Sequence, residues 1–159
     1  MSYSRQVSRT LHDEHLTSID LLGRVERALA RSEDVDWPPL AAALVRQLEH
    51  EIDRHFGFEE QQLFPRMADA GDGDLVELLS EEHESIRAVA DELLPLARAT
   101  AATGTPDAGS TATLRGLVLE LIERQVAHIQ KETMALLPLL DDLLDDDTDR
   151  ELAFAYARD

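Results

Sequence analysis

The chain has 159 residues, 43% of them hydrophobic and 4% aromatic, with a formal net charge of −18 and no cysteine. Such acidity repels phosphate backbones and anionic headgroups and argues against nucleic-acid or membrane partners. The lack of cysteine excludes disulfides, thiolate zinc sites and iron–sulfur clusters, and a Leu-, Ala- and acid-rich, glycine-poor composition favours helix over sheet.

No apolar run approaches the roughly 20 residues of a membrane span. The N-terminus MSYSRQVSRTLHDEH lacks the apolar stretch of a signal peptide, so a cytoplasmic location is expected. Residues 1–159 read as a single domain.

Apolar residues recur at steps of three and four along the chain, the signature of amphipathic helices. The first stripe runs Val7, Leu11, His15, Ile19, Leu22, Val25, Leu29. SEDVDWPP at 32–39 breaks it, and its prolines suit the first turn of the next helix. The second stripe is Leu40, Leu44, Leu48, Ile52, His55, Glu59, Leu63. AGDGD at 70–74 reads as a turn, with Asp74 and Glu77 as a capping box. The third stripe is Leu75, Leu79, His83, Ile86, Ala90, Leu93, Ala97, followed by a polar linker at 100–111. The fourth is Leu114, Val118, Leu121, Gln125, His128, Glu132, Ala135, Leu139, Leu143. Pro65, Pro95 and Pro138 are expected near helix ends or at kinks. The acidic run at 141–149 reads as a solvated helix end, and 149–157 as a short extra C-terminal helix. The pattern predicts an all-α, antiparallel up-down-up-down four-helix bundle.

Each inward stripe is interrupted by His or Glu. His15 lies about 16 residues before its helix ends and His55 about 18 after the next begins, so both sit roughly 25 Å from their shared end. His83 and His128 give nearly the same depth, which places all four imidazoles at one level. HFGFEEQQLFP at 55–65 and HIQKETMALLP at 128–138 repeat one pattern, His, three residues, Glu, three residues, Leu, one residue, Pro. Four residues advance a helix about 40° past a full turn, so His55 with Glu59, and His128 with Glu132, share a face. The proline of each repeat is expected to bend or end its helix.

Buried carboxylates without partners are costly, and no Lys or Arg occupies a matching inward position. A metal removes the problem. Six side chains exceed what one tetrahedral zinc accepts and suit two ions with mixed nitrogen and oxygen ligands. Two irons fit best, with manganese or zinc as substitutes. His15, His55, His83 and His128 are assigned as terminal ligands and Glu59 and Glu132 as bridges. An oxo or hydroxo bridge and an exogenous molecule would take the remaining positions.

Together with DEH at 13–15 and EEH at 81–83, the two repeats make the chain resemble a hemerythrin-like, or HHE cation-binding, domain. The resemblance implies an antiparallel four-helix bundle around a non-haem di-iron centre that reacts with dioxygen. Oxygen-carrying hemerythrins have a His-x-x-x-His pair on the third helix and an Asp after the fourth-helix His. Here Arg87 and Glu132 take those places, which favours sensing of iron, oxygen or redox state over reversible oxygen carriage.

The expected ligand is therefore dioxygen, nitric oxide or peroxide, with a protein partner as a further candidate. Binding is favoured over enzymatic turnover, weak peroxide consumption aside. The alternatives are a di-iron peroxidase or ferroxidase, or a metal-free helical interaction protein. The Glu-x-x-His pairs of ferritin-like enzymes are missing here.

Around the six, His12 is assigned to a half-exposed face, its alternative role being a bond to bound dioxygen. His50 is assigned to the surface and Glu60 is left out of the site. Glu14 and Glu82 read as solvated flanks. Glu51 and Gln125 either orient ligand imidazoles or lie on bundle flanks, with neither favoured. Trp37 and Phe64 read as packing residues near the bundle ends.

Overall fold

The structure, a computed structural model, describes residues 3–31 and 34–158 and has no strand among them. The α-helices are α1 (Gln6–Arg31), α2 (Trp37–Glu49), α3 (Phe64–Asp69), α4 (Gly73–Thr103), α5 (Ala108–Lys131), α6 (Leu137–Leu143) and α7 (Asp146–Arg158). α2 leads into α3 through two π-helical stretches, His50–Phe56 and Glu59–Leu63, and α5 leads into α6 through a third, Glu132–Leu136. Wide turns of this kind cluster at functional sites, and these three carry His55, Glu59 and Glu132. No described helix is long and apolar enough to cross a membrane.

Pro38 and Pro39 open α2, where missing N–H groups cost nothing. Asp107 caps α5 by accepting from the Ser110 N–H at 2.8 Å. α4 ends at Gly104, whose φ of +101° suits glycine.

Several boundaries differ from the sequence reading. The linker expected at 100–111 shrinks to 104–107, because helix claims both flanks. Asp74 lies inside α4 and forms no capping box, the N-cap being Asp72 without a side-chain cap bond. Pro95 sits within α4, not near its end. Pro65 and Pro138 fall in the first turns of α3 and α6, so the chain stays helical beyond them. Ser32 and Glu33 of the expected break lie outside the described residues.

The acidic run is solvated only in part, with Asp142, Asp145, Asp146 and Asp147 exposed. Asp141 accepts from the backbone of Ser4 and Arg5 at 2.8 and 3.0 Å, and Asp149 from Gln6 and Val7 at 2.9 Å each. Asp149 is buried. Two carboxylates thus satisfy N–H groups at the start of α1, which has no acidic residue in its own first turn. The expected C-terminal helix is present as α7, beginning at Asp146.

The apolar interior is divided in two. One block joins Leu22, Val25 and Leu29 of α1, Trp37 to Leu48 of α2, Phe56, Ile86 to Ala97 of α4, and Leu114 to Ile122 of α5. The other joins Val7 and Leu11 with Phe58, Leu63, Phe64, Met67, Leu79, Leu136, Leu140 and the α7 residues Leu152 and Tyr156. Trp37 and Phe64 are packing residues as expected, but Phe64 stands against the ring of His83, 5.4 Å between centroids, and not at a bundle end. Between the blocks lies a polar layer.

Register departs from the expected stripes in three helical segments, the second among them, where Ala41 and Glu51 are buried and Leu40 and Ile52 only half-buried. Ile19 is 38% exposed, and Ser18 takes the buried position. Beyond Glu132 the buried positions are Leu136 and Leu140, while Ala135 and Leu139 are only half-buried. The π-helical turn carries an additional residue and rotates the following stripe by one position.

Candidate metal centre

His15, His55, Glu59, His83, His128 and Glu132 form the polar layer, each 1% exposed or less. α1 delivers His15, the π-helical stretches after α2 deliver His55 and Glu59, α4 delivers His83, α5 delivers His128, and Glu132 opens the third π-helical stretch.

The two carboxylates lie between two pairs of imidazoles. Glu132 Oε1 is 2.9 Å from His15 Nε2 and 3.6 Å from His55 Nε2, while its Oε2 is 3.5 Å from His83 Nε2 and 3.0 Å from His128 Nε2. Glu59 Oε2 is 3.4 Å from His55 Nε2, and its Oε1 is 3.3 Å from His83 Nε2. Each carboxylate therefore gives one oxygen to the His15–His55 side and the other to the His83–His128 side.

The outward ring nitrogens are all engaged. His55 Nδ1 donates to Glu14 Oε1 at 3.0 Å, His83 Nδ1 to Glu60 Oε2 at 2.6 Å, and His128 Nδ1 to Glu82 Oε1 at 2.8 Å. A carboxylate only accepts, so these nitrogens carry the hydrogen, and Nε2 of the neutral ring is a lone pair aimed inward. His15 Nδ1 meets the Thr133 hydroxyl at 3.1 Å. In every case the outer partner belongs to a neighbouring helical segment. The result is a closed ring in which each segment steadies the next one's imidazole.

The carboxylates of that ring are themselves braced. Glu60 accepts both Arg87 guanidinium nitrogens, at 2.7 and 3.0 Å. Glu82 pairs with Lys131. Glu14 accepts from the Tyr156 hydroxyl at 2.6 Å and from His50 Nε2 at 2.6 Å. Although part burial opposes ionisation, bonds from His55 and Tyr156 hold Glu14 down at about 2. Glu60 and Glu82 are lowered in the same way, by Arg87 with His83 and by Lys131 with His128.

Inside the layer, burial disfavours protonation of His83, but the Glu132 and Glu59 carboxylates, 3.5 and 3.3 Å from its Nε2, outweigh it and push the ring up to about 10. His55 and His128 are raised against the same desolvation, His55 by Glu51 and Glu59 and His128 by Glu132. Glu132 is held well below the usual carboxylate range despite its burial, chiefly by the charge of His128.

Whether these groups fit a cation is decided by their hydrogen bonds. His55 Nε2, His83 Nε2, His128 Nε2, both Glu59 oxygens and Glu132 Oε2 are buried without a hydrogen-bond partner, although they crowd together at the distances above. Buried polar atoms are rarely left so. Neutral imidazole and ionised carboxylate converging from one face each are metal donors, and the residues fit. They fall into two sets that share Glu132, namely Glu59, His83, His128 and Glu132, and His15, His55 and Glu132.

Other assignments change. Glu60, Glu14 and Glu82 are partners of the site and not solvated flanks. Adjacency to a ligand was the available signal, but it pointed to the wrong partner: Glu14 precedes His15 yet serves His55, and Glu82 precedes His83 yet serves His128. Residue i−1 lies about 100° from the inward face and so reaches the neighbouring helix. Glu51 and Gln125 are buried, not on flanks. Glu51 Oε2 accepts from Ser18 Oγ at 3.5 Å and lies 3.9 Å from His55 Nδ1, and burial pushes its carboxyl up. His50 is half-exposed but bonded to Glu14. His12 packs its ring edge against Tyr3, 5.3 Å between centroids, and is in neither set of donors. Phe56 carried no sequence signal; its ring stacks on His83 at 3.8 Å and 6°.

Curated proteins give no match to the chain. The family model of the Hemerythrin HHE cation binding domain matches residues 6–140. That span takes in all six buried donors and stops short of α7, and by it the chain belongs to the hemerythrin HHE cation-binding domain family.

Proposed function

We propose that the chain is a di-iron protein that binds or senses dioxygen, nitric oxide or peroxide, with the outcome of that binding read by a partner. The carrying observation is the division of labour within Glu59 and Glu132, whose two oxygens address opposite imidazole pairs. Such a placement would let Glu59 and Glu132 each hold two cations. His15 and His55 would hold one ion, and His83 and His128 the other. Mixed nitrogen and oxygen donors with room beyond four bonds suit iron, and manganese or zinc would fit the same groups.

The iron pair, when bound, would supply the electrons and open coordination for the small molecule. The chain's own residues supply the rest. Glu14, Glu60 and Glu82 fix ring orientation and tautomer, and Thr133 holds the His15 ring in place. The apolar blocks on either side exclude water and raise the strength of every charge between them. We read the scaffold as one antiparallel up-down-up-down bundle over 1–159. The support is that α1, α2, α4 and α5 meet the two blocks in alternating order along the chain.

The test is metal analysis of protein purified without added metal, with optical spectra before and after reduction. About two irons per chain and a near-ultraviolet charge-transfer band lost on reduction are expected. His55→Ala and Glu132→Ala should lose metal and melt at lower temperature. An iron-free protein that takes up none aerobically, with melting unaffected by chelator, refutes the reading and favours a metal-free interaction protein.

A further inference from the structure

We propose that α7 belongs to the metal centre: Tyr156 positions His55 through Glu14, so that docking of this helix and cation binding on the His15–His55 side reinforce each other. The inference rests on the reading that those imidazoles hold a cation.

Glu14 Oε1 accepts at once from the Tyr156 hydroxyl, at 2.6 Å, and from His55 Nδ1, at 3.0 Å. One oxygen thus joins the C-terminal helix to a ligand ring. Tyr156 is gripped by residues that flank the donors. Its ring packs on Phe58 at 4.5 Å, next to Glu59 in sequence. The Arg54 guanidinium lies 5.0 Å from its centroid and donates to its backbone oxygen at 2.6 Å, and Arg54 precedes His55. At the other end of α7, Asp149 caps the helix that carries His15. α7 therefore bridges the two segments that deliver one pair of imidazoles.

The three outer carboxylates are braced from different sources. Arg87 on Glu60 and Lys131 on Glu82 lie within the 6–140 span that the family model matches. For Glu14 the brace beyond His50 comes from Tyr156, outside that span. The Tyr156 brace thus lies outside the residues that the family model matches.

The physical link is direct. A cation on His55 Nε2 fixes the hydrogen on Nδ1 and aims it at Glu14, while a docked Tyr156 holds Glu14 where that hydrogen points. Coupling of this kind is reciprocal: if docking raises cation affinity by some factor, the cation raises docking by the same factor. Loss of a direct outer partner costs about 10- to 100-fold in metal affinity. Tyr156 is one bond further out and His50 remains, so about three- to tenfold is expected.

The experiment uses the full chain, anaerobic ferrous iron and a competing chelator to resolve the two binding steps, with hydrogen exchange followed across 146–158. In Tyr156→Phe, which keeps the ring and loses the hydroxyl, one step should weaken about three- to tenfold and the other stay within about twofold. Lys131→Met, acting through Glu82, should weaken the opposite step. Iron loading should slow exchange in α7 of the wild type, and less so in Tyr156→Phe. A variant that melts lower by the same amount with and without iron, both affinities unchanged, shows a merely structural tyrosine and overturns the proposal. Should Tyr156→Phe fail to fold, wild-type exchange decides alone, and equal exchange with and without iron overturns it. A wild type that binds no iron defeats the functional reading itself and the inference with it.

Discussion

Loading the buried layer with a redox-silent cation at pH 7 must expel protons. His55, His83 and His128 are all raised in the metal-free chain, and His83, at about 10, carries two hydrogens at neutrality. Its Nδ1 hydrogen is kept by Glu60, and the Nε2 hydrogen stands in a cation's way. Glu132 is already ionised and contributes none. Filling both positions should therefore release at least about one proton per chain, and the product of the two binding constants should rise at least about tenfold per pH unit near neutrality. Displacing the His83 proton alone costs roughly 4 kcal/mol at pH 7, from the gap between that pH and about 10. Zinc titrated calorimetrically in two buffers of different ionisation enthalpy measures the count. Fewer than about one proton released with two zinc ions bound would show neutral imidazoles in the metal-free layer, and the ion-pair account of it would be wrong.

Three further outcomes are expected. Metal-free protein should lose stability with rising pH: His83 sits above its unfolded value, so its contribution is complete below about 6.5 and vanishes as pH passes through about 10, whereas zinc-loaded protein should gain over that window, and melting curves at several pH values will cross. Glu82→Gln and Glu60→Gln should each weaken cation binding by about 10- to 100-fold while leaving the helical circular dichroism unchanged. Asp149→Ala should cost about 1 kcal/mol or somewhat more in urea denaturation, because two N–H groups at the start of α1 lose a buried acceptor.

The buried donors were legible in the sequence because helices repeat. His15, His55, Glu59, His83, His128 and Glu132 each interrupt an apolar stripe, and period and depth together bring them to one layer. What surrounds them was not legible, because it depends on which helix neighbours which. Glu14 beside His15 looks like a flank until α2 is laid against α1, and Tyr156 looks like one more residue of a charged tail. Asp141 and Asp149 of the acidic run were misread for a similar reason: their partners, the N–H groups of Ser4 to Val7, lie at the far end of the chain. Ala135 and Leu139 failed by a different route, since a constant 3.6-residue period does not foresee a wide turn.

That wide turn has a consequence of its own. Deleting one residue inside an ordinary helix swings everything after it by about 100° and ruins the packing that follows. Between Glu132 and Leu136 the backbone already holds a residue that a regular helix would not need. Losing Ala135 would tighten the loop of backbone to standard pitch, and Leu136, Leu137 and Leu140 would keep their places in the interior. The protein stores slack in its spine next to a carboxylate that cannot be moved, and it can shed that slack without uprooting either end.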